Sequence, residues 1–136
     1  MKYFLVGTGK GKDVLDIRKS AAVACKAVKK SKAKTIDFIL PKGTDIREVI
    51  LGAGLGNYEF KVGAKDKEAV EMKKLTIVSQ EKITKGQYKS EISLVDSICL
   101  TRDRVNRPTN RMTPEILAGR AKEEKKEAGK SLTIYA

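Results

Sequence analysis

Short runs rich in β-branched and aromatic residues alternate along this chain with stretches of helical periodicity, and that alternation constrains the fold more than any other feature. Thr35-Ile36-Asp37-Phe38-Ile39-Leu40, stopped by Pro41, reads as a strand, and so does Leu75-Thr76-Ile77-Val78-Ser79. Residues 2–7, rich in Tyr, Phe, Leu and Val, predict a buried strand ended by Gly7-Thr8-Gly9-Lys10-Gly11, and Leu132-Thr133-Ile134-Tyr135 predicts a last strand. Between them, Val14, Ile17, Ala21, Ala24 and Val28 follow helical spacing behind Asp13, a suitable N-cap, and this helix should end near Ser31. Asp45 with Glu48 three residues on resembles a capping pair ahead of Ile46, Val49, Ile50 and Ala53. A longer helix is expected from Thr84 to Asn106, and Thr113-Pro114 opens another that Gly129 should end. Residues 61–74 are polar and lysine-rich and read as a loop or an exposed edge. Strands alternating with helices favour an α/β fold in three layers, a mostly parallel or mixed sheet flanked by helices, because right-handed crossovers place helices on the sheet faces.

A chain of 136 residues has room for one ordinary core. Its 40% apolar and 34% charged residues fit a soluble globular protein. No run approaches the roughly 20 apolar residues of a membrane span, and the opening apolar stretch is too short for a signal peptide. The expectation is a cytoplasmic protein without a membrane partner. Histidine is absent, which removes the usual general base and the commonest zinc ligand. Cys25 and Cys99 each sit among apolar neighbours in a helical pattern and read as buried, reduced thiols.

The net charge of +12 is uneven: residues 1–34 carry ten lysines and arginines against Asp13 and Asp16. Lys26, Lys29, Lys30, Lys32 and Lys34 are the candidate nucleic-acid contacts, since clustered lysines neutralise phosphates without reading sequence. No aromatic residue is interleaved with them, so base stacking is not expected, and a solvated helix face is the competing reading. Gly52-Ala53-Gly54-Leu55-Gly56 could bring backbone N–H groups to a phosphate. These glycines come at the end of a predicted helix rather than between a strand and a helix start, which favours tight packing or helix termination. Arg102, Arg104, Arg107 and Arg111 suit carboxylate or phosphate binding and equally a domain or subunit interface.

Thr101-Arg102-Asp103-Arg104-Val105-Asn106-Arg107-Pro108-Thr109-Asn110-Arg111-Met112-Thr113-Pro114-Glu115-Ile116-Leu117-Ala118 resembles a segment of the leucyl (cytosol) aminopeptidases, peptidase family M17. Their pattern is Ala-Arg-Asp-Leu-Val-Asn-x-Pro-x-Asn-x-x-Thr-Pro-x-x-Leu-Ala. Ile17-Arg18-Lys19-Ser20-Ala21-Ala22 is similar to the family's alanine-rich helix start, and Gly54-Leu55-Gly56-Asn57-Tyr58-Glu59-Phe60 to its Gly-x-Tyr-x-Phe element. The resemblance implies a macro-domain-like N-terminal domain over residues 1–87 that lacks its first strands. It further implies a linking helix over 88–106 and the truncated start of the catalytic domain over 107–136. Arg104 and Arg107 depart from the family pattern, being apolar or neutral there in many members. The family's catalytic segments, Lys-Gly-x…Asp-Thr-Gly-Gly and Asn-Thr-Asp-Ala-Glu-Gly-Arg, do not occur here.

No catalytic or metal-binding residue is therefore assigned to this chain. Two divalent ions (zinc, manganese or magnesium) are expected only in the family's catalytic domain, where converging carboxylates hold them. The resemblance implies three partners: the catalytic domain of the same polypeptide, other copies in a hexamer, and DNA, which some members bind. The function expected is a structural, assembly or regulatory role in the non-catalytic part of an aminopeptidase that hydrolyses N-terminal amino acids from peptides. The alternatives are a sequence-independent DNA-binding module and a macro-domain-like binder of ADP-ribose.

Overall fold

The computed structural model describes residues 2–9, 13–31, 33–60 and 74–128. They form helix α1 (Val14–Lys30), strand β1 (Thr35–Ile39), helix α2 (Ile46–Asn57), strand β2 (Lys74–Val78), helix α3 (Lys85–Val105), a 3-10 turn (Thr109–Arg111) and helix α4 (Pro114–Ala128). The chain divides into two compact units, Met1–Leu100 and Thr101–Ala136.

In the first unit β1 and β2 pair in parallel, with Ile36 opposite Leu75 and Phe38 opposite Ile77. A parallel pair needs a crossover, and α2 lies within it. The unit is a small α/β structure, a two-stranded parallel sheet with helices flanking it.

Each helix starts for a local reason. Asp13 caps α1 by accepting a hydrogen bond from the Leu15 backbone N–H at 2.9 Å. Asp45 caps α2 in the same way, accepting from the Arg47 N–H at 2.9 Å. The expected capping pair is only half formed, because Glu48 does not turn back to Asp45. Its Oε2 instead accepts from Arg18 Nε at 2.7 Å, tying α2 to α1. Thr84 and Gln87 bond reciprocally at the start of α3: the Gln87 N–H donates to Thr84 Oγ1, and the Thr84 N–H donates to Gln87 Oε1.

The core lies between α1 and α2. Ala21, Ala24, Cys25 and Val28 of α1 are buried with Ile46, Val49, Ile50, Leu51 and Ala53 of α2, and Val95 is the buried residue of α3. Glycines set how close the helices come. A Cβ on Gly52 would lie 2.2 Å from the Arg18 carbonyl oxygen, and one on Gly56 would lie 2.6 Å from Ala22 Cα. A Cβ on Gly54 would meet Val95 Cγ1 at 2.6 Å. Gly52 and Gly56, one helical turn apart, thus let α1 rest directly on the α2 backbone, while Gly54 receives α3 on another side.

In the second unit, Thr113 begins α4. Its carbonyl accepts from Leu117 N–H at 2.9 Å and its hydroxyl from Ile116 N–H at 3.4 Å. The Glu115 carboxyl is held below the usual glutamate range, first by its hydrogen bond with Thr113. The Arg104 guanidinium donates to Glu124 of α4.

The sequence reading needs one correction. Residues 2–8 carry no strand, and Tyr3 and Leu5 are exposed. The segment runs beside α1 instead, with Ser20 Oγ donating to the Gly7 carbonyl at 2.9 Å. Strand propensity depends on tertiary context, and here the segment's contacts are with α1 rather than with the sheet. The expected strand at 132–135, the helix end at Gly129 and nearly all of the loop at 61–74 lie outside the described residues.

The glycine environments set two opposite stability outcomes, and the α4 cap sets another. Gly52→Ala should destabilise the protein by about 1–3 kcal/mol, since the Arg18 carbonyl must move. Gly119→Ala in α4, where a Cβ meets nothing within 4 Å, should be neutral or stabilising by about 0.5–1 kcal/mol. Urea unfolding of both variants checks the opposite signs. Thr113→Ala should weaken α4 by about 0.5–1 kcal/mol, the low side of a cap loss because the hydroxyl bond is long. The circular-dichroism thermal midpoint reads this out.

Candidate functional site

The four described candidate lysines, Lys26, Lys29, Lys30 and Lys34, do not gather on one surface. Helical position separates those on α1. Ala21, Ala24, Cys25 and Val28 face α2, which leaves Lys26 and Lys30 on the opposite, exposed side with Lys19. Lys29 lies between these faces and is committed to the fold. Its ammonium donates to the Asn57 carbonyl at the C-terminus of α2 and lies 3.4 Å from Glu59. A cation at a helix C-terminus meets carbonyls that have no intrahelical partner. Lys34 is exposed just before β1, where its carbonyl accepts from the Lys74 N–H at 3.3 Å. Lys32 lies outside the described residues.

The glycines are not a phosphate loop. They lie inside α2, and their backbones are occupied by α1 and α3, which realises the packing alternative. The carboxyl ends of the parallel strands, where open α/β sheets commonly take ligands, carry the protein's own carboxylates, Asp45 and Glu81. A polar recess of about 320 Å³ there is lined by Gly43, Asp45, Arg47, Glu81 and Gln87 among others. Asp45 occupies the helix N-terminus and pairs with the Arg47 guanidinium at 3.0 Å. Arg47 holds the Asp45 carboxyl below the usual range, chiefly through that side-chain hydrogen bond. Glu81 accepts from the Gly43 N–H at 3.3 Å. An incoming phosphate would meet the Asp45 and Glu81 carboxylates there as well as Arg47 and Lys82.

A second recess was invisible in the sequence, because it depends on residues 4–9 not being a strand. This segment and the outer side of α1 border a groove of about 440 Å³, lined by Phe4, Leu5, Val6, Asp16, Lys19, Ser20, Val23 and Ala27 among others. Val23 is 57% exposed on a helix whose opposite face is the core.

The chain has no histidine. Among the described residues, no group of three or more Cys, Asp or Glu side chains could hold a metal ion. The two divalent ions of the aminopeptidase reaction therefore do not fit these residues. No described helix is long and apolar enough to cross a membrane. Of the arginine cluster, Arg104 is paired with Glu124 and Arg102 and Arg111 are exposed. Cys25 is fully buried, and burial pushes its thiol up to about 11.

Together these features define a small α/β domain without a metal-binding cluster among its described residues. Residues 1–67 match the model of the cytosol aminopeptidase family, N-terminal domain. The chain is 32% identical over 133 residues to a probable cytosol aminopeptidase of Chlamydia trachomatis, covering 89% of this chain and 27% of that protein. It is 27% identical over 162 residues to one of Koribacter versatilis, covering 99% of this chain and 31% of that protein. Among solved structures, the bottromycin maturation enzyme BotP superposes with a TM-score of 0.74 at 26% identity, covering 91% of this chain and 28% of that one. The chain belongs to the cytosol aminopeptidase family, M17, and its residues 1–67 correspond to the N-terminal domain of that family. It spans less than a third of the relatives it matches.

The buried thiol generates a further expectation. Cys25 should resist a disulfide reagent at pH 8 in the native state and react once denaturant is added. Its folded pKa lies above the ordinary 9.0, so it does not penalise folding below pH 9. Between about pH 9 and 11 the unfolded thiol ionises while the folded one does not, and stability falls. A Cys25→Ala variant should lose this component of the alkaline slope.

Proposed function

We propose that this chain serves as a non-catalytic module of a metal-dependent aminopeptidase, with a structural, assembly or regulatory role towards a catalytic domain. The observation that carries this is the distribution of the match. Nearly the whole chain aligns with relatives named as aminopeptidases, yet it covers only 27–31% of their length. The family's two catalytic segments do not occur in this chain. On this reading residues 1–87 are the N-terminal domain, residues 88–106 the linking helix, and residues 107–136 the beginning of the catalytic domain. The two metal ions and the water they activate belong to that domain, and assembly into a hexamer would run through it.

The DNA-binding alternative keeps Lys26, Lys30 and Lys34 as exposed charges but loses Lys29, whose ammonium is held at the end of α2. No observation favours it over the aminopeptidase module. The ADP-ribose alternative loses its glycines to helix packing and its strand-end recess to Asp45 and Glu81.

The purified chain should not hydrolyse leucine-p-nitroanilide, with or without added manganese or zinc. Metal-stimulated turnover that follows the chain through every purification step would overturn the proposal.

A further inference from the structure

We propose that the groove between residues 4–9 and α1, with the lysine stripe beside it, docks an acidic amphipathic segment of a partner protein. Lys19, Val23, Lys26 and Lys30 are spaced four, three and four residues apart, so they lie along one line of the helix surface. That line is turned away from α2. The groove it borders is mainly aliphatic, with Leu5, Val6, Val23 and Ala27 in its walls. An apolar trough with cations along one rim is complementary to a segment carrying apolar residues on one side and carboxylates on the other.

Charge selects among occupants. A net charge of +12, with +8 in residues 1–34, repels a second copy of this chain. Duplex nucleic acid would engage the lysines but leave Val23 and Leu5 in water, since phosphate contacts bury no aliphatic surface. Asp16 marks the unfavourable end of the groove: a Cβ on Gly9 would lie 3.3 Å from its Oδ2. The partner's carboxylates therefore sit towards Lys19, Lys26 and Lys30, not towards Gly9. Lys29 takes no part, being committed to α2.

The test uses the full chain and a fluorescein-labelled amphipathic peptide of glutamate and leucine, followed by anisotropy. A lysine–leucine peptide of the same pattern and a 20-base-pair duplex are the comparison probes. Saturable binding of the acidic peptide with a Kd on the order of micromolar is expected, and none of the basic peptide. Val23→Asp should weaken it by about tenfold or more, and so should the triple change Lys19→Glu, Lys26→Glu, Lys30→Glu. The triple change Lys122→Glu, Lys125→Glu, Lys126→Glu on α4 makes the same change in net charge on a different helix and should leave it within about twofold. Circular dichroism verifies each fold, and Val23→Ser replaces Val23→Asp if the latter unfolds. Absence of peptide binding overturns the proposal, as does binding indifferent to Val23 or equally weakened by the α4 changes. Tighter binding of the duplex would assign the surface to nucleic acid. A Val23-dependent dimer in sedimentation would assign it to a second copy.

Discussion

The contact between α1 and α2 is the constraint on which the first unit depends. Two helices approach closely only where side chains are small, and here the backbone of one rests on glycines of the other. With the Arg18 carbonyl 2.2 Å from the position of a Gly52 Cβ, no other residue fits without displacing α1. Glycine costs a helix about 1 kcal/mol per position relative to alanine, so three within twelve residues weaken α2 as an isolated helix. The burial they permit offsets this, because Cys25, Val28, Val49 and Ala53 are nearly or fully removed from water. Arg18–Glu48 and Lys29–Asn57 then hold the two ends of the same contact.

That packing also decides what remains outside. Once Ala21, Ala24, Cys25 and Val28 face α2, the helical period places Lys19, Val23, Lys26 and Lys30 on the opposite side. The lysine-rich sequence therefore divides into one structural cation and an exposed row. The division follows from geometry alone, since a residue 100° round the helix from its neighbour meets a different environment.

Local signals were legible in the sequence wherever the chemistry was local. Asp13 and Ser31 bracket α1 as expected, Asp45 opens α2, and Thr113 opens α4, because capping involves residues two or three apart. The parallel pairing of β1 and β2 also followed from their separation by a helix. What could not be read was whatever required a distant partner. Glu48 satisfied a sequence pattern for a capping box, but Arg18, thirty residues away, competes for it. Residues 2–7 had strand composition but lie along α1, held there by the bond from Ser20 to the Gly7 carbonyl. The role of Lys29 became visible only when Asn57 came within its reach. For the glycines, their place at the end of a predicted helix already favoured packing over a phosphate loop; which helices they receive was not legible from spacing.

The strand ends complete the argument about where this domain can bind. In an open parallel sheet the carboxyl ends and the following helix N-terminus form a natural anion site. Here Asp45 accepts from the Arg47 N–H, the Arg47 guanidinium pairs with Asp45, and Glu81 accepts from the Gly43 N–H, so two carboxylates already stand where an anion would be held. The recess at the strand ends is mainly polar. The exposed apolar surface beside concentrated positive charge lies instead on the outer side of α1, where Val23 stands among Lys19, Lys26 and Lys30. Recognition by this domain is thereby displaced from the sheet edge to a helix face, and from small anions to extended acidic surfaces.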